Sequence, residues 1–146
     1  MTTAPRHLIV NPPDLPPAVG FAHAVVAAPG RLVFLGGQVA QDANGRVVGE
    51  TISEQFDLAA ANVVRALGAA GGRPEHLVQM LIYVTDLAAY HDRLEDLGTI
   101  YRRHFGRHYV ASALFEVKSL FVAAALVELV CLAVVPAGAK TPGPPG

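Results

Sequence analysis

Residues 51–84 read TISEQFDLAAANVVRALGAAGGRPEHLVQMLIYV, and this stretch decides the fold. Thr51-Ile52-Ser53-Glu54 forms a capping box, with Thr51 as N-cap and Glu54 reaching back. Behind it Ile52, Phe56, Ala59, Ala60, Val63 and Leu67 recur three and four apart, which places them on one face of a helix. Gly71-Gly72 stops that helix, since glycine takes up the cap conformation at no steric cost. After Pro74, Leu77 to Val84 is β-branched and apolar enough to be a buried strand.

On the N-terminal side, residues 24–28 and 31–35 read as two short strands joined at Pro29-Gly30. Gly36-Gly37-Gln38 follows, where backbone can approach a neighbour closely because no Cβ intervenes. Asn44-Gly45 signals a tight turn between short extended segments. On the C-terminal side, Leu87, Tyr90, Leu94, Leu97, Tyr101 and Phe105 predict one helix over about residues 87–104. Two strands, over about 110–117 and 126–135, close the chain. The order β-β-(β)-α-β-α-β-β gives an α+β class, with two helices packed on one face of a mixed β-sheet. The other face is then bare, and a partner subunit is the economical cover for it.

Chain length and composition support one domain. At 146 residues the chain can bury a real core. Apolar residues make up 52% and charged residues only 16%, an excess that points to subunit interfaces. The organisation reads as a Pro-rich N-terminal segment over 1–17, a folded domain over 18–136, and a Pro/Gly-rich disordered tail over 137–146. The net charge is −1, and the arginines are scattered apart from Arg102, Arg103 and Arg107. No basic face favours nucleic acid. No signal peptide is visible, and the longest apolar run, 120–136, is broken by Glu128 and too short for a membrane span. The expectation is a cytoplasmic protein with no membrane association. A single cysteine, Cys131, excludes an intramolecular disulfide and a multi-thiolate metal site.

Several residues carry candidate chemistry. Glu128 sits among Val127, Leu129, Val130 and Cys131, where a carboxylate costs several kcal/mol unless paired or protonated. It either activates a water, or faces outward, or pairs with an arginine of another copy. Gly36 and Gly37 either present backbone to a ligand or make a bulge. Ser112 either donates to a neutral substrate oxygen or is satisfied by backbone. His23 has the side chain best suited to proton transfer near neutral pH, but a lone histidine is more often a surface residue. His91, His104 and His108 read with the three arginines as a solvated face, Glu116 as structural, and Cys131 as inert packing.

The landmarks in order resemble the RidA (YjgF-like) family over about residues 18–136. Ala18-Val19-Gly20-Phe21-Ala22-His23-Ala24 sits where that family has Gly-Pro-Tyr, and Val33-Phe34-Leu35-Gly36-Gly37-Gln38 resembles its Ser-Gly-Gln segment. Gln55 and Asn62 match its Gln…Asn spacing, Ala69-Ala70-Gly71-Gly72 its helix end, and Tyr83-Val84-Thr85-Asp86-Leu87 its strand end. Phe115-Glu116-Val117 and Val127-Glu128-Leu129 match its two Glu-bearing strands. The resemblance implies a chorismate-mutase-like fold, a homotrimer with a cleft at each seam, and hydrolysis of enamines or imines without metal or organic cofactor. It assigns catalysis to Glu128 and substrate contact to Gly36, Gly37, Ser112, Leu114, Phe21, His23 and Tyr83.

The departures bear on substrate. The family arginine that grips a substrate carboxylate is Ser112 here, its Tyr is Ala22, and its Ser is Gly36. A charge-assisted anchor contributes about 1.5–3 kcal/mol, which a serine hydroxyl does not replace. The expectation is therefore a deaminating or tautomerising enzyme for an enamine, imine or related unsaturated compound, not a 2-imino acid. The alternative is a non-catalytic small-molecule-binding trimer. RNA cleavage, attached to some relatives, is disfavoured by the missing basic face.

Overall fold

The Thr51 cap forms as its sequence predicts. In the computed structural model, which describes residues 6–139, Thr51 Oγ1 accepts from the Glu54 amide at 3.2 Å. Glu54 reaches one residue further back than a capping box requires, accepting from the Glu50 amide at 2.8 Å. Helix α1 runs Ile52–Ala69 and buries all six residues of the predicted stripe, together with Gln55. It ends in a Schellman motif: the Gly72 amide donates to Leu67 O at 2.9 Å and the Gly71 amide to Gly68 O at 3.0 Å. Gly71, at φ 88°, supplies the left-handed residue this motif needs.

The strands are β1 (Leu8–Val10), β2 (Ala24–Val26), β3 (Gly30–Phe34), β4 (Leu77–Val84), β5 (Ala111–Glu116) and β6 (Val127–Pro136). The main sheet has the order β3-β6-β4-β5, with β4 and β5 parallel and the other pairs antiparallel. This is the mixed sheet of the expected α+β class. Its register sets the two faces. Met80, Cys131 and Ser112 share one side with Ile82, Leu129 and Leu114, and that side meets the helices. Phe56, Leu67, Met80 and Leu129 are fully buried there.

The opposite side carries Leu32, Phe34, Leu81, Tyr83, Phe115, Glu128, Val130 and Leu132, by strict alternation along each strand. Within one chain it is open: Phe34 is 76% exposed, Leu32 60% and Phe115 46%. A bare apolar face is what the sequence predicts, and no element among the described residues covers it.

Two expectations change. The single helix over 87–104 is two, α2 (Leu87–His91) and α3 (Leu94–Phe105), broken where Arg93 leaves helical geometry at φ −120°, ψ 20°. Two short helices offset in this way keep the three-and-four spacing, so periodicity alone does not reveal the break. The described residues thus hold three α-helices rather than two. The folded part also reaches back into the Pro-rich segment over 1–17, since β1 pairs antiparallel with β2. Side chains clamp both ends of this ribbon: Asn11 Oδ1 accepts from the His23 amide at 2.9 Å, and His7 Nδ1 from the Ala28 amide at 3.0 Å. Of the predicted tail, residues 137–139 form a turn and 140–146 lie outside the described residues. No helix among the described residues is long and apolar enough to cross a membrane.

Polar residues of α1 hold the loops that lead to the open face. Gln55, 2% exposed, donates to Gly49 O and Ala124 O, both at 3.1 Å, and accepts from the Leu126 amide at 2.7 Å. Asn62 donates to Val39 O and Gln41 O at 3.0 Å. Leucine at position 55 would leave three part-buried backbone groups without their side-chain partner. We expect Gln55→Leu to lower unfolding stability by about 2–4 kcal/mol, read from urea midpoints, and a change under about 0.5 kcal/mol would contradict this account.

Candidate active site

The expected site residues fall into two groups on opposite faces of the sheet. On the open face, Glu128 of β6 is directly opposite Tyr83 of β4, whose ring stacks on Phe115 at 5.5 Å between centroids. Residues 36–38 lie against β6 just here. The Gln38 amide donates to Leu129 O and the Leu129 amide to Gln38 O, both at 2.9 Å. The absent side chain of Gly37 matters, since a Cβ there would overlap Oε1 of Glu128. Glu128 is half-buried and has no hydrogen-bond or ion-pair partner among the described residues. It is neither in the core nor on an edge strand, because β6 is central and the side chain projects from the bare face.

On the helix face, Ser112, Leu114 and Phe21 line a cavity of about 540 Å³ with Tyr90, Tyr101 and Tyr109. β5 is the sheet edge, and the segment before β2 runs along it, with the Ala22 amide donating to Val110 O at 2.9 Å. That contact brings Phe21 over the strand. Ser112 Oγ donates to Val110 O at 3.0 Å, the backbone-satisfied arrangement. Tyr101 donates to His108 O at 2.6 Å, and burial pushes both its phenol and that of Tyr90 above the usual range.

His23 joins neither group. Its Nε2 bonds Pro16 O at 2.7 Å and its ring meets Phe21 edge-on at 5.1 Å, so it fastens the N-terminal loop. Glu116 is structural, accepting from the Leu87 amide at 3.0 Å at the start of α2. The solvated-face reading fails for two histidines. His104 bonds Asp57 between α3 and α1 at 2.5 Å, and His108 bonds Leu77 O at 2.8 Å. Burial pushes the Cys131 thiol up to about 12, so it stays protonated and unreactive near neutral pH. Sequence reasoning missed Tyr90 and Tyr101 as cavity lining because the stripe on 87–105 reads as core contact, and Arg102 because it reads as solvated face; Tyr109 belongs to no motif.

The fold has known counterparts. The profile of the family described as Endoribonuclease L-PSP matches residues 13–135. The chain belongs to the RidA/YjgF family.

Among solved structures, it is similar to YyfB of Yersinia pestis, a protein of unknown function of the conserved Rid family. The two share 29% identity at a TM-score of 0.81, over 89% of this chain and 99% of that one. A member of the YjgF/YER057c/UK114 family from Mycobacterium tuberculosis is 30% identical at a TM-score of 0.59, over 80% and 88%. RidA from an Antarctic Psychrobacter, 22% identical at a TM-score of 0.63 over 88% and 99%, shares the fold. A search of curated proteins gave no match. As a RidA/YjgF chain, this one keeps the Gly-Gln segment beside Glu128 and carries Ser112 in the cavity wall.

Proposed function

We propose that the chain is a RidA-type enzyme that hydrolyses or tautomerises a small enamine or imine at clefts between the subunits of a homotrimer. One observation carries this reading. Glu128 and Gly37 are on the open face, while the cavity with Ser112, Leu114 and Phe21 is on the other, and the sheet separates them. A cleft containing both groups therefore takes them from two copies, brought together when the apolar faces are covered. Glu128 has no hydrogen-bond or ion-pair partner among the described residues, so nothing there competes for its carboxylate oxygens.

The chemistry then balances simply. Water adds to the carbon of a protonated imine while Glu128 takes one proton from the water, giving a carbinolamine. Return of that proton to nitrogen, cleavage of the C–N bond and loss of the hydroxyl proton yield the carbonyl compound and ammonium. The glycines at 36 and 37 leave their backbone groups unobstructed beside the reacting centre.

Ser112 limits the substrate. With its hydroxyl bound to Val110 O and no arginine at that position, an α-carboxylate has no anchor beside β5. Ammonia release from a panel of imines and enamines tests the reading. We expect acceleration on compounds lacking an α-carboxylate, and turnover of 2-iminopropionate slower by about tenfold or more, the equivalent of the missing 1.5–3 kcal/mol. No acceleration on any member would leave a binding protein. Equal turnover of 2-iminopropionate would remove the role given to Ser112. The net charge of −1 argues against RNA as the substrate.

A further inference from the structure

The cavity on the helix face has one charged side chain in its lining, Arg102 of α3, and no acidic one. Arg102 is exposed, as its place on a solvated helix face predicts, and its guanidinium folds back along the helix to the cavity rim. Nη1 lies 3.2 Å from where a Cβ of Gly98 would stand, so the bare backbone of Gly98 gives it room at the cavity. Its hydrogen bond is weak, from Nη2 to Thr99 Oγ1 at 3.4 Å.

Four arginines have acids: Arg46 pairs with Asp42, Arg73 with Glu75, Arg93 with Asp96 and Arg103 with Asp57, all within 3.6 Å, whereas Arg6, Arg31, Arg65 and Arg107 have none among the described residues and none of these eight lines the cavity. Among the described residues Arg102 has none. A guanidinium presents five donors in a planar fork that matches a carboxylate. Set in an otherwise uncharged, aromatic-walled cavity, it attracts one negative charge.

We infer that Arg102 is a substrate-binding residue, the anchor for a single carboxylate on a ligand with an aromatic or bulky apolar body. This rests on the reading of the cavity as one wall of the substrate cleft. Arg102 comes from α3, whereas Ser112 is on β5, so the anchored carboxylate lies apart from the α position. The substrate class becomes an imine or enamine whose acid group is remote from the reacting carbon. A phosphate monoester, carrying nearly two charges, is matched less well by one arginine.

The probe is 3-phenylpropanoate, with 3-phenylpropanamide as its uncharged counterpart, titrated by calorimetry into the full-length protein. We expect the carboxylate to bind about tenfold more tightly than the amide at low salt, a modest ratio because the arginine is exposed to solvent. Arg102→Gln should equalise the two without changing amide affinity, and Arg102→Lys should keep part of the preference. Equal affinities in the unaltered protein, no binding of either probe, or an unchanged preference in Arg102→Gln would overturn the assignment. Glu128→Gln should retain the preference, so the anchor is judged by binding and the enzymatic reading separately by turnover.

Discussion

Glu128→Gln should lower turnover by about 10²–10⁴-fold while ligand affinity stays within about twofold, since the amide keeps the shape and cannot take the proton. The position explains why the loss should be confined to the chemical step. Among the described residues Glu128 has no hydrogen bond to lose, and it is half-buried on the open face, so the fold does not depend on its charge. Gly37→Ala should reach a similar loss by a different route. A methyl group at position 37 overlaps Oε1 of Glu128 and drives the carboxylate out of place, while the segment itself stays fixed by the two Gln38–Leu129 hydrogen bonds. Single-turnover ammonia release, with calorimetry on the same samples, separates the effects. If both variants turn over within threefold of the parent, Glu128 is not the proton acceptor. If Gly37→Ala alone is active, the carboxylate relaxes around the methyl group and the glycine is there only for packing.

How much of this was legible beforehand depends on the range of the interaction. The Thr51 cap, the stripe from Ile52 to Leu67 and the Gly71-Gly72 stop are local, and each forms as read. Alternation along β4 and β6 predicts that each strand has two unlike sides. It does not say which side of β5 matches which side of β6. Ser112 comes to share a face with Met80 and Cys131, and Tyr83 with Glu128, only through pairings between strands distant in sequence. That register splits the candidate site, and no motif contains it. Gln55 and Asn62 stand out as family landmarks, but their bonds to Gly49, Ala124, Val39 and Gln41 depend on loops folding back over α1. Arg102 was read with its neighbours because three arginines close in sequence look alike. What distinguishes it is Gly98 one turn earlier, which leaves room for its guanidinium at the cavity that neither Arg103 nor Arg107 lines.

Phe34→Glu should convert the assembly to single chains at micromolar concentration and abolish activity along with it. In an isolated chain Phe34 is 76% exposed, so a glutamate there costs the monomer little and its thermal unfolding should hardly change. In a homotrimer closed over the apolar faces, three carboxylates would enter a seam lined by Leu32, Leu132 and their counterparts, at several kcal/mol for each ion. Leu132, its cross-strand partner, offers a second test: Leu132→Glu should act in the same direction from the centre of the sheet. Sedimentation equilibrium reads the association state directly. Loss of activity should follow dissociation rather than unfolding, because a single chain holds Glu128 on one side of its sheet and the cavity on the other. Should the parent protein itself sediment as one chain, no second copy supplies the missing half of the cleft. The open face would then need a different cover, and the hydrolytic mechanism would have no place to occur.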